Sequence, residues 1–132
     1  MNEKIVVVAG SRKLTEIMTD DEARQLVWGV LNGSPFQIGE LVSGGARGVD
    51  SLAEEYAENN NIDLTVMEAD WDTFGSFAGP RRNSEMADYA EAGVIIRVDE
   101  SAGSTDMLKK ARKHFGEENI FLVDIDSIDT EN

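Results

Sequence analysis

Short apolar runs alternate along the chain with stretches in which apolar residues recur every three or four positions. Ile5 to Ala9 is a continuous run, which predicts a strand buried on both faces, closed by Gly10-Ser11-Arg12. The following loop ends at Thr19, which with Glu22 forms a capping box. Ala23, Leu26, Val27, Val30 and Leu31 then keep helical spacing until Asn32-Gly33-Ser34-Pro35 stops the helix. Leu41 to Ser43 predicts a second strand, and Val49, Leu52, Ala53, Tyr56 and Ala57 mark a helix ending at Asn59-Asn60-Asn61. Ile62 to Met67 reads as strand three. Asp70 to Gly79 reads as irregular, with Trp71, Phe74 and Phe77 either folded over a site or packed as a satellite core. Pro80 suits the first turn of a helix carrying Met86, Ala87 and Ala90. Val94 to Val98 is strand four. Gly103-Ser104-Thr105 reads as a turn and cap before a helix with Met107, Leu108, Ala111 and Phe115, and Ile120 to Ile125 is strand five.

Strands alternating with helices predict an α/β fold: a single Rossmann-like domain whose five-stranded parallel sheet carries helices on both faces. Right-handed crossovers favour the order 3-2-1-4-5, with a switch point between strands one and four. Ligands of such sheets bind outside the carboxyl ends of the strands. The domain is expected over residues 1–126, with an acidic flexible tail at 127–132.

Composition narrows the setting. The chain has 132 residues, no cysteine, and 26 acidic against 12 basic residues, a net charge of -14. A disulfide framework and thiolate metal sites are thereby excluded. The evenly spread acidity predicts a hydrated surface tolerated in concentrated salt, as in a halophilic source, and argues against a nucleic acid partner, which needs a basic face. The first apolar run is too short for a signal peptide or a membrane span, so a cytoplasmic location and no membrane partner are expected.

Chemistry gathers at the glycine turns. Leu41-Val42-Ser43-Gly44-Gly45-Ala46-Arg47-Gly48-Val49-Asp50 is a strand end, paired glycines, an arginine, a third glycine and a helix start. Glycines let backbone approach a ligand, and a helix N-terminus offers unpaired N–H groups to an anion such as phosphate. The turn can equally be a plain link between strand and helix. Arg12, Arg47, Arg81 and Arg82 all follow predicted strands in loops or first helical turns, so they should gather at one edge of the sheet. A phosphorylated ligand would offset cations set against a helix dipole. The turns at Gly10, Gly44-Gly45 and Gly103 would supply backbone donors.

These motifs carry a resemblance. Gly10-Ser11-Arg12, Ser43-Gly44-Gly45-Ala46-Arg47-Gly48-Val49-Asp50, Ala69-Asp70-Trp71 and Gly79-Pro80-Arg81-Arg82-Asn83 with Met86 resemble the YspA/YpsA-like proteins of the SLOG superfamily. That superfamily also holds the LOG "lysine decarboxylase-like" enzymes and the DNA-processing DprA proteins. The resemblance, from about Ile5 to Val123, implies a Rossmannoid fold binding a nucleotide or nucleotide-derived ligand. LOG enzymes are phosphoribohydrolases that cleave the N-glycosidic bond of nucleoside 5′-monophosphates. Arg82 and Met86 match the first part of their pattern, but Ser104-Thr105 stands for Gly-Thr and Leu108 occupies the glutamate position. An apolar residue there cannot stabilise a ribosyl cation or position water. The LOG likeness also implies a homodimer through helix faces.

The first reading is therefore a binding protein, a sensor or a component of nucleotide metabolism, with a small-molecule phosphorylated ligand such as an ADP-ribose-like compound. Its candidate ligand-binding residues are Gly10, Ser11, Arg12, Ser43, Gly44, Gly45, Ala46, Arg47, Gly48, Asp50, Trp71, Arg81, Arg82, Asn83, Gly103, Ser104 and Thr105. Asp50 can bind a ribose or a catalytic water, or stabilise its own helix; Trp71 can stack on a base or pack in its loop; Asn83 can donate to phosphate or cap its turn. The alternative is a LOG-like hydrolase, with Arg82 and Asp50 as catalytic residues and Asp50, Asp70 or Asp106 replacing the glutamate. A DprA-like nucleic acid role comes third. Asp70, Asp72, Asp99 and Glu100 could hold Mg2+, but acid clusters arise readily in so acidic a chain, and no metal or cofactor beyond the ligand is expected. His114 is expected on the surface, and Ser11 and Ser43 lack a histidine base for nucleophilic work.

Overall fold

The computed structural model describes residues 2–127 and has five parallel strands, β1 (Lys4–Gly10), β2 (Ile38–Ser43), β3 (Asp63–Val66), β4 (Ala92–Val98) and β5 (Ile120–Ile125), in the order β3-β2-β1-β4-β5. The expected α/β class and strand order are both present. Period-two alternation assigns each strand residue to one of two cores. Val6, Val8, Leu41, Val94 and Ile96 pack on one face against α2 (Asp20–Asn32) and α3 (Val49–Asn59), through Ala23, Val27, Leu31, Leu52, Ala53 and Ala57. Val7, Val42 and Ile95 face the other way, against Met86 and Ala87 of α5 (Ala78–Tyr89) and Met107, Leu108 and Ala111 of α6 (Ala102–Phe115).

The Thr19 capping box starts α2: the Glu22 N–H donates to Thr19 Oγ1 at 3.2 Å and the Thr19 N–H to Glu22 Oε1 at 3.0 Å. Two strands begin earlier than their apolar runs. β2 starts at Ile38 and β4 at Ala92, because Lys4 pairs with Ile38, and Val6 and Val7 pair with Ala92 and Gly93. Ladder pairing overrides local propensity there.

Three stretches differ from the pattern-based expectation. The loop after β1 contains a short helix, α1 (Leu14–Ile17), which buries Leu14. The stretch expected to be irregular holds α4 (Trp71–Phe74), a 3-10 turn at Gly75–Phe77 and the start of α5; Asp70 Oδ1 caps α4 by accepting from the Thr73 N–H at 3.1 Å. Gly103, Ser104 and Thr105 are not a turn and cap but lie inside the first two turns of α6, whose N-cap is Ser101. The reversal after β4 is made by Asp99 and Glu100, both at φ 50. Asp99 is fixed there by Lys13 Nζ at 2.5 Å and by the Ser127 N–H at 2.9 Å. Of the tail expected at 127–132, all but Ser127 lies outside the described residues. Among the described residues no helix is long and apolar enough to cross a membrane.

Candidate functional site

The chain leaves β1 toward one face of the sheet and leaves β4 toward the other, so a crevice opens beyond the carboxyl ends of these neighbours. A cavity of about 550 Å³ occupies it. Its wall combines the end of β1 and the loop to Lys13, the turn around Ala46, Asp50, the start of α5, and the start of α6. Buried Met86 and Met107 supply apolar lining.

Gly10 lets these pieces meet. A Cβ there would lie 2.5 Å from Val49 Cγ2 and 2.6 Å from the Ile96 carbonyl, so the start of α3 packs directly on the end of β1. Ser11 then joins both strand ends to α6. Its N–H donates to the Ile96 carbonyl at 3.1 Å, and its Oγ accepts from the Val98 N–H at 2.8 Å. The same hydroxyl is hydrogen-bonded to Ser101 Oγ and lies 3.3 Å from Ser104 Oγ. With Ser101 turned to Ser11, α6 has no side-chain cap, and its first N–H groups lack intrahelical acceptors.

Opposite, Arg82 Nη1 donates to the Gly44 carbonyl at 2.6 Å and Nε to Asn83 Oδ1 at 3.1 Å. Asn83 in turn donates to Asp106 Oδ2 at 3.0 Å, and Lys110 reaches the same oxygen at 2.8 Å. Asp50 is 5% exposed and accepts from the Ala46 N–H at 3.2 Å. Burial pushes its carboxyl up to about 6; the Ala46 N–H and Arg82 oppose that rise without cancelling it. The Arg82 guanidinium is held below its ordinary value, first by burial and then by Arg12, while Asp50 opposes.

Among the expected site residues, the cavity brings together Gly10, Ser11, Arg12, Ala46, Asp50, Trp71, Arg82, Asn83, Gly103 and Ser104. The others have different surroundings. Arg47 faces a neighbouring groove with Arg24, Ser51, Glu54 and Glu55. Arg81 lies over the Phe74 ring at 4.3 Å and 3.6 Å from Glu85. Ser43 Oγ donates to Glu54 at 2.6 Å and accepts from the Gly45 N–H at 3.1 Å, while Thr105 Oγ1 accepts from Arg97 at 3.1 Å. Gly44 touches Arg82 and Asp50, and Gly45 and Gly48, at φ 72 and 84, shape the turn. Asp70 caps α4 and Asp99 pairs with Lys13, so these two acids serve separate loops. Lys13 and Ser101 line the cavity and were missed, although a helix start two residues earlier would have exposed Ser101 as a cap position.

Arg24, Arg81, Arg97 and Arg112 each form a salt bridge. Among the described residues Arg12 and Arg82 in the cavity, and Arg47 in the neighbouring groove, form none, although the chain carries 26 acids.

Fold and site together define a Rossmann-like α/β domain with a partly cationic cavity at its switch point. The chain belongs to the YAcAr family, described as the YspA, cpYpsA-related SLOG family, whose profile matches residues 4–74. It is also 30% identical over 118 residues to the Gene 61 protein of Mycobacterium phage D29, spanning 82% of this chain and 88% of the phage protein. No solved structure matches the chain significantly.

Proposed function

We propose that this protein binds a nucleotide or nucleotide-derived phosphorylated small molecule, of the nucleoside phosphate or ADP-ribose kind, at the carboxyl edge of the sheet. It would then act as a sensor or a component of nucleotide metabolism. The observation that carries this reading is the charge contrast within the cavity. Arg12 and Arg82 repel each other and have no salt-bridge partner among the described residues, in a molecule with a charge of -14. A phosphate adds counter-charge to what Asp50 gives Arg82, and two of its oxygens match the bidentate fork of a guanidinium. The uncapped start of α6 adds N–H donors and the positive end of its dipole. SLOG membership supports a nucleotide-related ligand in general.

Calorimetric titration with nucleoside 5′-monophosphates, ADP-ribose and inorganic phosphate tests this. Saturable binding that Arg12→Ala and Arg82→Ala each weaken is expected. Binding by none of them would remove the reading.

Asp50 and Asp106 lining the same cavity favour a second reading, N-glycosidic hydrolysis of nucleoside monophosphates with Arg82 holding the ribose phosphate. Leu108, at the position of the LOG glutamate, is 2% exposed and packed in the core, so the carboxylate would have to come from those two. Chromatography of the incubated nucleotides for free base separates the two readings.

A further inference from the structure

The cavity has a second chemical character that a phosphate does not use. Trp71 lines it, yet the residue is 50% exposed, whereas an indole serving only as packing is mostly buried. The turn that carries the ring is nonetheless held in place. Asp70 Oδ1 and the Asp70 carbonyl accept from the Thr73 and Phe74 N–H groups at 3.1 and 3.0 Å, which fixes the first turn of α4. The Gly75 N–H returns to the Trp71 carbonyl. The benzo edge leans on the start of α5, where a Cβ on Gly79 would come within 3.1 Å of Cη2. Arg81 over Phe74 braces α4 against α5 from outside the cavity. An aromatic surface carried on a fixed turn, resting on one edge and left half open, meets a ligand with less to order than a free side chain has.

We propose that Trp71 is the platform on which a planar heteroaromatic base stacks, so that the site selects nucleotides over sugar phosphates of the same charge. This rests on the phosphate-binding reading above and narrows it. Arg12 and Arg82 hold the phosphate end, and Trp71 holds the base. Gly79 leaves room for the ring edge, since a Cβ there would make the indole give by a few tenths of an ångström.

Titration of the protein with the four nucleoside 5′-monophosphates and with ribose 5-phosphate tests the assignment. The best nucleotide binds between about fivefold and about 150-fold tighter than ribose 5-phosphate, the range for one base–aromatic stack. Trp71→Ala lowers nucleotide affinity to about that of the same variant for ribose 5-phosphate, while Trp71→Phe retains most of the preference. Nucleotide, but not ribose 5-phosphate, quenches indole emission, a readout that needs no variant. Equal affinity for the two ligand classes in the native protein, or a preference that survives Trp71→Ala, overturns the platform and leaves the phosphate site standing. Binding by neither class overturns the platform, and the phosphate reading falls with it when ADP-ribose and inorganic phosphate also fail to bind.

Discussion

Arg82 Nη1 donates to the Gly44 carbonyl at 2.6 Å, tying α5 to the glycine turn after β2 across the mouth of the sheet. The same guanidinium is the cation that opposes the raised Asp50 carboxyl and repels Arg12. Arg82→Ala therefore acts on ligand affinity more than on the fold. Nucleotide affinity is expected to fall at least about tenfold, equal to about 1.4 kcal/mol. Stability should fall by about 1 kcal/mol, because the lost hydrogen bond is offset by relief of desolvation and of repulsion. Calorimetry and urea denaturation measure the two effects separately.

Two glycines in the site should respond differently to a methyl group. At Gly10 the new Cβ meets the Ile96 carbonyl at 2.6 Å and Val49 at 2.5 Å, neither of which can step aside. Gly10→Ala is expected to cost about 1–3 kcal/mol of stability, as overpacking does. At Gly44 the collision is with Arg82 Nη1 at 2.6 Å, the far end of a flexible chain, and with Asp50 Oδ2 at 2.9 Å. Gly44→Ala should displace Arg82, weaken nucleotide binding and cost about 1 kcal/mol, as loss of the Arg82 hydrogen bond does. Melting temperature and affinity measured on both variants separate the predictions.

The fold was legible because each β-branched run and each helical stripe is long enough to show its period. α1 and α4 were not, since four residues carry no period. The site was readable only down to the loop. Arg81 and Arg82 are adjacent, but one residue step turns a helix by about 100°, so one reaches the cavity and the other Phe74. Similarly, Ala46 lines the cavity while Arg47 turns to the next groove, in a loop bent by Gly45 and Gly48 at φ 72 and 84. Ser11 and Ser101 are ninety positions apart and meet only because β1 and β4 are neighbours, information held in the topology rather than in either motif.

Salt should act in opposite directions on fold and ligand. A charge of -14 on 132 residues makes the native state repel itself. Raising KCl from about 0.1 M to about 1 M shortens the screening length from about 10 Å to about 3 Å. The melting temperature is expected to rise over that range, while affinity for a nucleotide monophosphate falls because its attraction to Arg12 and Arg82 is screened. A melting temperature that drops with KCl would count against surface repulsion as a controlling factor.

Asp50 gives the fold a pH dependence opposite in sign to that of the protein's paired acids. Its carboxyl is raised from 3.8 to about 6, chiefly by burial. Between those values the folded chain holds a proton at Asp50 that the unfolded chain has released. The contribution is therefore fully present below about pH 4 and lost as pH rises through about 6, to a total of about 3 kcal/mol. Asp99 and Asp124 are shifted downward by Lys13 and Arg97 and act the other way, losing their stabilisation as the solution is acidified. A native pH profile mixes the two, so the informative quantity is a difference. Asp50→Asn keeps a neutral acceptor for the Ala46 N–H and removes the titration. Its stability minus that of the native protein should grow steadily from pH 4 to pH 7 when both are unfolded in urea. A difference that stays flat would mean that Asp50 carries its charge at little cost, and that water or Arg82 reaches it more freely than its burial implies.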